Sequence, residues 1–243
     1  MRIWGITDTG LVREENQDAF STRLVGQYTV AVVCDGMGGT NGGQRASSIA
    51  VETYQYEIGQ QLKDGMNASQ IAQASSYCIA LANDAIRAEA SSHVGFERMG
   101  TTLVSAIAWD EMAVISNIGD SRAYFINRSG ITRISNDHSV VENMVANGEL
   151  TPEEARHHPK RNLITRALGP EEQAIADTFP IEWKQGDFIL LCSDGLVNTV
   201  SDQEILFEVI HNGEIDDCLA RLLDLSRQRG APDNVTVILM MNI

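Results

Sequence analysis

Residues 29–43 of the chain, TVAVVCDGMGGTNGG, decide how the rest of the sequence is organised. The apolar, β-branched run that ends at Cys34 predicts a buried strand, and the carboxylate of Asp35 follows at its end. Five of the eight residues after Asp35 are glycine, so the next loop can bring backbone close to an ion or a phosphate. The stretch predicts a binding site, although a tight turn capped by its Asp is an equally simple interpretation.

Two further strand ends carry an Asp. The apolar run 188–192 leads to Asp194, and Asp233 comes just before the apolar run 235–239. Carboxylates gathered at one edge of a core repel one another unless a cation neutralises them. Because Mg²⁺ and Mn²⁺ prefer oxygen ligands, Asp35, Asp194 and Asp233 together predict a divalent metal site.

The composition limits the classes of partner and the location. A chain of 243 residues with 43% hydrophobic content can bury the core of one domain, and its net charge of -15 argues against nucleic acid or an anionic membrane as a partner. The four cysteines form no C-x-x-C pair, which favours buried reduced thiols. The N-terminus lacks the apolar segment of a signal peptide, so we expect a cytoplasmic protein.

The hydrophobic pattern predicts an α+β fold. It indicates strands, helices and a loop in the order strand 2–7, loop 11–20, strand 29–34, helices 44–62 and 68–90, strands 102–109, 112–117 and 122–127, a polar helical region 137–158, strand 187–194, helices 202–210 and 215–228, and strand 235–242. The three middle strands have short connections, which are typical of an antiparallel meander. Thr151 and Pro152 predict a helix start inside the polar region, which we interpret as a surface lid. The class is therefore antiparallel sheets packed face to face with helices outside.

Six short motifs occur in a fixed order and cover essentially the whole chain. They are Asn16-Gln17-Asp18, Asp35-Gly36-Met37-Gly38-Gly39, Met99-Gly100-Thr101-Thr102, Gly119-Asp120-Ser121-Arg122, Cys192-Ser193-Asp194-Gly195 and Asp233-Asn234-Val235-Thr236. Together they resemble the metal-dependent Ser/Thr protein phosphatases of the PPM family, also called PP2C, and in particular its bacterial branch. The resemblance implies a PP2C-like α-β-β-α sandwich, a single domain over residues 1–243, and a variable flap at about 137–169.

The resemblance also implies a centre of two Mg²⁺ or Mn²⁺ ions, with a third, loosely held ion in bacterial relatives. Carried over residue by residue, Asp35 is expected to bridge the two metals and the carbonyl of Gly36 to bind one of them. Asp194 and Asp233 are expected to bind the other metal, with Asp18 contributing through water. Asp120 is expected to join Asp194 at the third ion. In this family a hydroxide activated between the two metals attacks phosphoserine or phosphothreonine in proteins, without a covalent phosphoenzyme. The expected catalytic residues are Arg13, Asp35 and Asp194.

Arg13 resembles the arginine that anchors the substrate phosphate, since a planar guanidinium can bind two phosphate oxygens at once. The alternative is a solvated arginine beside Glu14 and Glu15. Arg122 is expected to be structural, pairing with a ligand carboxylate. The chain departs from the family at Met37, where animal members have a histidine, and at Thr40, where many bacterial members have one.

The implied partners are phosphorylated Ser/Thr proteins, including a bacterial Ser/Thr kinase or its substrates, and we expect a monomer. The alternative function is a catalytically silent PP2C-fold module that regulates or binds metal. The presence of every expected ligand Asp argues against such decay. A P-loop or dinucleotide-binding protein is excluded, because the glycines of 36–43 are not followed by Lys-Ser/Thr and do not form G-x-G-x-x-G.

Overall fold

A computed structural model describes residues 1–39 and 42–243. Thr40 lies outside the described residues. The elements in chain order are β1 (Arg2–Asp8), β2 (Asp18–Val25), β3 (Tyr28–Met37), α1 (Gly42–Gln61), α2 (Ala68–Ser92), β4 (Gly100–Thr101), β5 (Leu103–Trp109), β6 (Met112–Ile118), β7 (Arg122–Asn127), β8 (Gly130–Arg133), α3 (Val140–Ala146), α4 (Pro152–His157), β9 (Asp177–Glu182), β10 (Phe188–Cys192), α5 (Asp194–Val197), α6 (Asp202–Ile210), α7 (Cys218–Gln228) and β11 (Val235–Met241).

Two antiparallel sheets form the centre of the fold. The first sheet has the order β1-β11-β10-β7-β8, and the second has the order β2-β3-β5-β6-β9, with the short β4 paired to β3. Helices α1 and α2 cover the second sheet, and α5, α6 and α7 cover the first. The predicted α+β sandwich of two antiparallel sheets between helices is therefore confirmed.

Strand β3 shows why the sequence contains an unbroken apolar run. Val30, Val32 and Cys34 face the helices α1 and α2, whereas Ala31 and Val33 face the first sheet. Successive side chains of a strand point to opposite faces, so a strand buried on both faces must be apolar at every position. The layer between the sheets is built largely from small and β-branched residues, which lets the two sheets approach closely.

Two parts of the predicted topology are wrong. Strand β2 begins at Asp18, inside the segment 11–20, for which the lack of a clear period predicts a loop. The predicted meander holds only for β5 and β6, because β7 pairs with β10 and β8 in the first sheet. The segment 119–121 therefore crosses from one sheet to the other, and Gly119 supplies the positive φ of 108° that this crossing uses.

The polar region 137–158 contains the expected helix start. The hydroxyl of Thr151 accepts from the backbone N–H of Glu154 at 3.2 Å, and the Glu154 carboxylate accepts from the Thr151 N–H at 2.8 Å, so the two form a capping box beside Pro152. The four cysteines, all within the described part of the chain, are buried and free, as predicted. Across residues 1–39 and 42–243, no helix combines the length and the apolar character needed to cross a membrane.

Candidate active site

A pocket of about 690 Å³ opens at one edge of the sandwich. In antiparallel sheets the end of one strand lies beside the start of its neighbour, so β3 and β10 end at the edge where β2, β7 and β11 begin. This is how residues far apart in sequence meet. The lining of the pocket includes Arg13, Gln17, Asp35, Gly36, Asp120, Asp194 and Asp233.

Asp18 is buried below this pocket. It pairs in register with Asp35 across β2 and β3 and is 8% exposed. Its Oδ2 accepts a hydrogen bond from the Ser193 hydroxyl at 2.7 Å, whereas its buried Oδ1 has no hydrogen-bond partner among the described residues. Burial raises the pKa of Asp18 to about 6. A buried carboxylate oxygen without a partner is costly, and a bound cation would remove that cost.

Asp35 and Asp194 line the same pocket, and their carboxylates are near enough to repel each other. Burial, together with repulsion from Asp18 and Asp194, raises the pKa of Asp35 well above its ordinary value. The Asp35 backbone is held on both sides by Thr102, whose N–H donates to the Asp35 carbonyl at 2.9 Å and whose hydroxyl accepts from the Asp35 N–H at 3.0 Å. Asp194 receives one bond from Asn198 at 3.0 Å, and its Oδ1 is buried without a partner among the described residues.

Asp120 lies on the segment that crosses between the sheets. Burial, followed by repulsion from Asp194, raises the pKa of Asp120 to about 8. The neighbouring Gly119 is fixed by His138, because the His138 N–H donates to the Gly119 carbonyl at 2.8 Å and the Gly119 N–H donates to His138 Nδ1 at 3.2 Å. His138 is 6% exposed, and its other ring nitrogen lies 3.2 Å from Asp177. These contacts give His138 a positioning role at the base of the flap.

Arg13 binds Asp233 with both arms of its guanidinium. Nε donates to Oδ1 at 2.8 Å and an Nη donates to Oδ2 at 2.7 Å. This ion pair raises the pKa of Arg13. Arg13 therefore lines the pocket as the resemblance implies, but its partner is a proposed metal ligand rather than solvent beside Glu14 and Glu15.

Asn234 organises this side of the pocket, a role that the sequence reasoning missed. Its side-chain amide donates to the carbonyls of Thr9 and Glu15, both at 2.9 Å, and its Oδ1 accepts from the Gln17 N–H at 2.8 Å. One side chain thus joins the loop that carries Arg13 to the start of β11. The only available signal was an Asn between a candidate ligand and an apolar strand.

Arg122 has a different partner from the one expected. Its guanidinium binds Asp137 with three contacts of 2.6 to 3.1 Å and also reaches the Tyr124 hydroxyl at 3.3 Å. Asp137 belongs to the base of the flap and does not line the pocket. The structural role is as expected, but the pairing with a metal-ligand carboxylate is wrong.

Two glycines allow close contact between the loops of the pocket. A Cβ on Gly36 would lie 2.1 Å from the Gly43 carbonyl oxygen, and a Cβ on Gly195 would lie 1.9 Å from the Asn234 carbonyl oxygen. Both distances are far below van der Waals contact. The glycines after Asp35 and Asp194 are therefore needed for packing of backbone against backbone.

The donor set suits a hard divalent cation. It consists of carboxylate and carbonyl oxygens, two of which are buried without a partner, and Arg13 is the one basic residue among the described residues that line the pocket. No three His, Cys, Asp or Glu side chains in residues 1–39 and 42–243 are already grouped as a ready metal shell. Asp233 is instead paired with Arg13 at 2.7 and 2.8 Å. A cation would have to redirect these oxygens.

Comparison with known proteins gives consistent results over nearly the whole chain. The sequence model of the family described as protein phosphatase 2C matches residues 12–239. Serine/threonine phosphatase Stp of Listeria innocua is 32% identical over 237 residues, which cover 96% of this chain and 93% of the relative. Serine/threonine protein phosphatase PstP of Mycobacterium tuberculosis is 35% identical over 98% of this chain and 44% of the longer relative. The crystal structure of serine/threonine phosphatase Stp1 from Staphylococcus aureus superposes with a TM-score of 0.93 at 34% identity, covering 99% of this chain and 94% of that one.

Proposed function

The chain belongs to the protein phosphatase 2C family and is a protein serine/threonine phosphatase. We propose that its acidic pocket hydrolyses phosphoserine and phosphothreonine in proteins with the help of two divalent metal ions. The family is metal-dependent. The observation that carries the proposal is the convergence of five Asp side chains at one edge, two of them with a buried oxygen that has no partner among the described residues.

We propose that Asp35 and the Gly36 carbonyl, Asp194 and Asp233 hold Mg²⁺ or Mn²⁺ in this pocket, with Asp18 contributing through water and Asp120 joining Asp194 at a third ion. When bound, such ions supply a hydroxide at neutral pH and neutralise charge that develops on the phosphoryl oxygens. Because burial raises the pKa of Asp35 and of Asp194, a cation that binds these carboxylates would compete with protons for them. The raised pKa of each carboxylate supports this coupling between proton loss and cation binding.

Arg13 supplies the substrate contact in this proposal. Its two donors are 2.7 and 2.8 Å from Asp233, and a cation on Asp233 would release them. Two parallel N–H donors match two oxygens of a phosphoryl group. In this way one side chain would hold the substrate only after the pocket is loaded.

We further propose that the enzyme acts as a monomer in the cytoplasm on phosphoproteins, including a bacterial Ser/Thr kinase or its substrates. A single chain supplies every residue assigned to the pocket, which supports a monomer. The four free buried cysteines are compatible with a reducing compartment. The flap at about 137–169 borders the pocket through Asn162 and Ile164.

Hydrolysis of p-nitrophenyl phosphate and of a phosphothreonine peptide, with Mn²⁺, with Mg²⁺ and with EDTA, tests the proposal. We expect turnover that requires the metal, and its loss in Asp35→Asn and Asp194→Asn. Full activity of either variant would overturn the assignment. Measurable Mn²⁺ binding with turnover no faster than the metal-free control would instead favour a catalytically silent module.

A further inference from the structure

The flap differs in charge from the rest of the molecule. The chain carries a net charge of -15, yet residues 155–170 contain no Asp or Glu and include four permanently basic residues, namely Arg156, Lys160, Arg161 and Arg166. Asn162 and Ile164, inside the same segment, line the pocket. A basic stretch therefore borders the mouth of an acidic pocket.

Lys160 and Arg161 are the members of this stretch that are available to a partner. Arg156 lies 3.7 Å from Glu153, and Arg166 lies 3.4 Å from Asp177. Lys160 and Arg161 are exposed, and within the described part of the chain their side chains form no ion pair or hydrogen bond. Arg161 is joined directly to Asn162, so its Cα is only about 3.8 Å from that of a residue of the pocket wall.

The turn that carries these two cations is held in place by the backbone. The Leu163 carbonyl accepts from the Val140 N–H at 2.8 Å, and the Thr165 N–H donates to the His138 carbonyl at 2.7 Å. Within the turn, the Leu163 N–H donates to the Lys160 carbonyl at 3.1 Å. The turn is thus attached to the same His138 that fixes the crossing segment, so its charges have a defined position beside the mouth.

The pocket wall also carries exposed acidic residues. Glu14 and Glu15 line the pocket on the loop that carries Arg13, and both are mainly exposed. A peptide whose phosphorylated side chain enters the pocket extends away from it in two directions. The flanking segments therefore pass a rim that carries both the basic pair Lys160 and Arg161 and the acidic pair Glu14 and Glu15.

We infer that Lys160 and Arg161 bind an acidic segment that flanks the phosphorylated residue of the substrate. The preferred protein substrates then carry Asp, Glu or a second phosphorylated residue on one side of the phosphoserine or phosphothreonine. This inference rests on the proposed function, because it requires the phosphoryl group to occupy the pocket. Complementary charge at a rim acts mainly on encounter and on orientation of the partner.

The test compares two double variants with the same charge change. Lys160→Glu with Arg161→Glu reverses the charge of the turn. Arg128→Glu with Lys184→Glu is the control, because both residues are exposed and lie at the far edge, where β7 ends and β10 begins. Each double variant lowers the net charge from -15 to -19 by two changes of -2.

The substrates are phosphothreonine peptides with three Glu on the N-terminal side, three Glu on the C-terminal side, or Gln in both places, together with p-nitrophenyl phosphate. We expect the wild-type enzyme to prefer one of the two acidic peptides over the Gln peptide in kcat/KM by about threefold to tenfold, the size that two exposed ion pairs allow. The preference should fall as salt is raised, because salt screens exposed charges. It should vanish in the flap variant and persist in the control.

Turnover of p-nitrophenyl phosphate distinguishes a failure of the flap inference from a failure of the proposed function. It should be unchanged in both double variants, since this small substrate has no flanking acidic segment for Lys160 and Arg161 to bind. A flap variant that keeps the acidic preference, or a wild-type enzyme without one, would overturn the inference and leave the proposed function intact. Wild-type turnover that persists in EDTA would overturn the proposed function instead.

Discussion

Replacing Arg13 with alanine should move metal binding and substrate turnover in opposite directions. The guanidinium of Arg13 binds the carboxylate of Asp233, for which a metal ion in the proposed site would compete. The side chain of Arg13 is 56% exposed, so solvent weakens the pair, and we assign it about 0.5–1 kcal/mol. Without that competitor, the dissociation constant for Mn²⁺ should fall about twofold to fivefold.

The same variant should lose the contact with substrate phosphate. Hydrogen bonds to charged groups contribute about 1.5–3 kcal/mol, which corresponds to a decrease in kcat/KM of about tenfold to a hundredfold for a phosphopeptide. Arg13→Lys keeps the charge but not the planar fork. It should therefore bind Mn²⁺ about as tightly as the wild type and lie between wild type and alanine in kcat/KM.

Calorimetric titration of EDTA-stripped protein with Mn²⁺ measures the first effect, and phosphopeptide kinetics at saturating Mn²⁺ measure the second. Arg45→Ala is the matched control, because Arg45 is similarly exposed and pairs with Glu89 at 2.8 Å on the helices outside the pocket. Weaker Mn²⁺ binding in Arg13→Ala, or an unchanged kcat/KM, would refute the competition.

Three further predictions concern stability. Because the pKa of Asp18 is raised to about 6 and that of Asp120 to about 8, the native protein holds more protons than the unfolded chain between about pH 4 and pH 8. The melting temperature in EDTA should therefore fall as the pH rises through this range, and saturating Mn²⁺ should remove the decline; a rise with pH would contradict these shifts. Asn234→Ala loses three hydrogen bonds that join the loop of residues 9–17 to β11, so urea denaturation should show a loss of about 2–3 kcal/mol, and a loss under 1 kcal/mol would rule out the organising role. In Gly195→Ala the new Cβ would lie 1.9 Å from a backbone oxygen, so the free energy of unfolding should fall by about 3 kcal/mol. In Gly59→Ala, inside a helix, the new Cβ would lie 3.0 Å from the flexible end of an arginine, so the stability should be unchanged or increased. Equal effects of the two variants in urea denaturation would refute the contrast.

The sequence predicted the fold wherever one periodic signal dominated. The run before Asp35 is apolar because β3 is buried on both faces, and the helices and late strands were equally periodic. Strand β2 was missed because it lies near the surface and mixes buried and exposed residues. The crossing at 119–121 was mistaken for a hairpin, since a connection of three residues fits either topology.

The candidate site was predicted as a set of residues but not as a set of contacts. Strand ends and glycines placed Asp35, Asp194 and Asp233 at one edge, and the structure brings them to one pocket. The partner of Arg13 could not be predicted, because an ion pair between residues 220 positions apart leaves no local pattern. The partner of Arg122 is only 15 positions away, but it lies in the irregular flap, where no periodic pattern places it. The role of Asn234 was hidden for the same reason.

The two sheets contribute separate halves of the acidic edge. Asp18 and Asp35 belong to the second sheet, whereas Asp194 and Asp233 adjoin strands of the first. The distance between the halves is therefore set by the thickness of the interior layer, where residues such as Ala31 and Ala106 are completely buried. A larger side chain at one of these alanines would increase the separation of the two sheets and of the carboxylates at their edge. Such a substitution would shift the preference of the proposed site toward larger cations without contacting an ion.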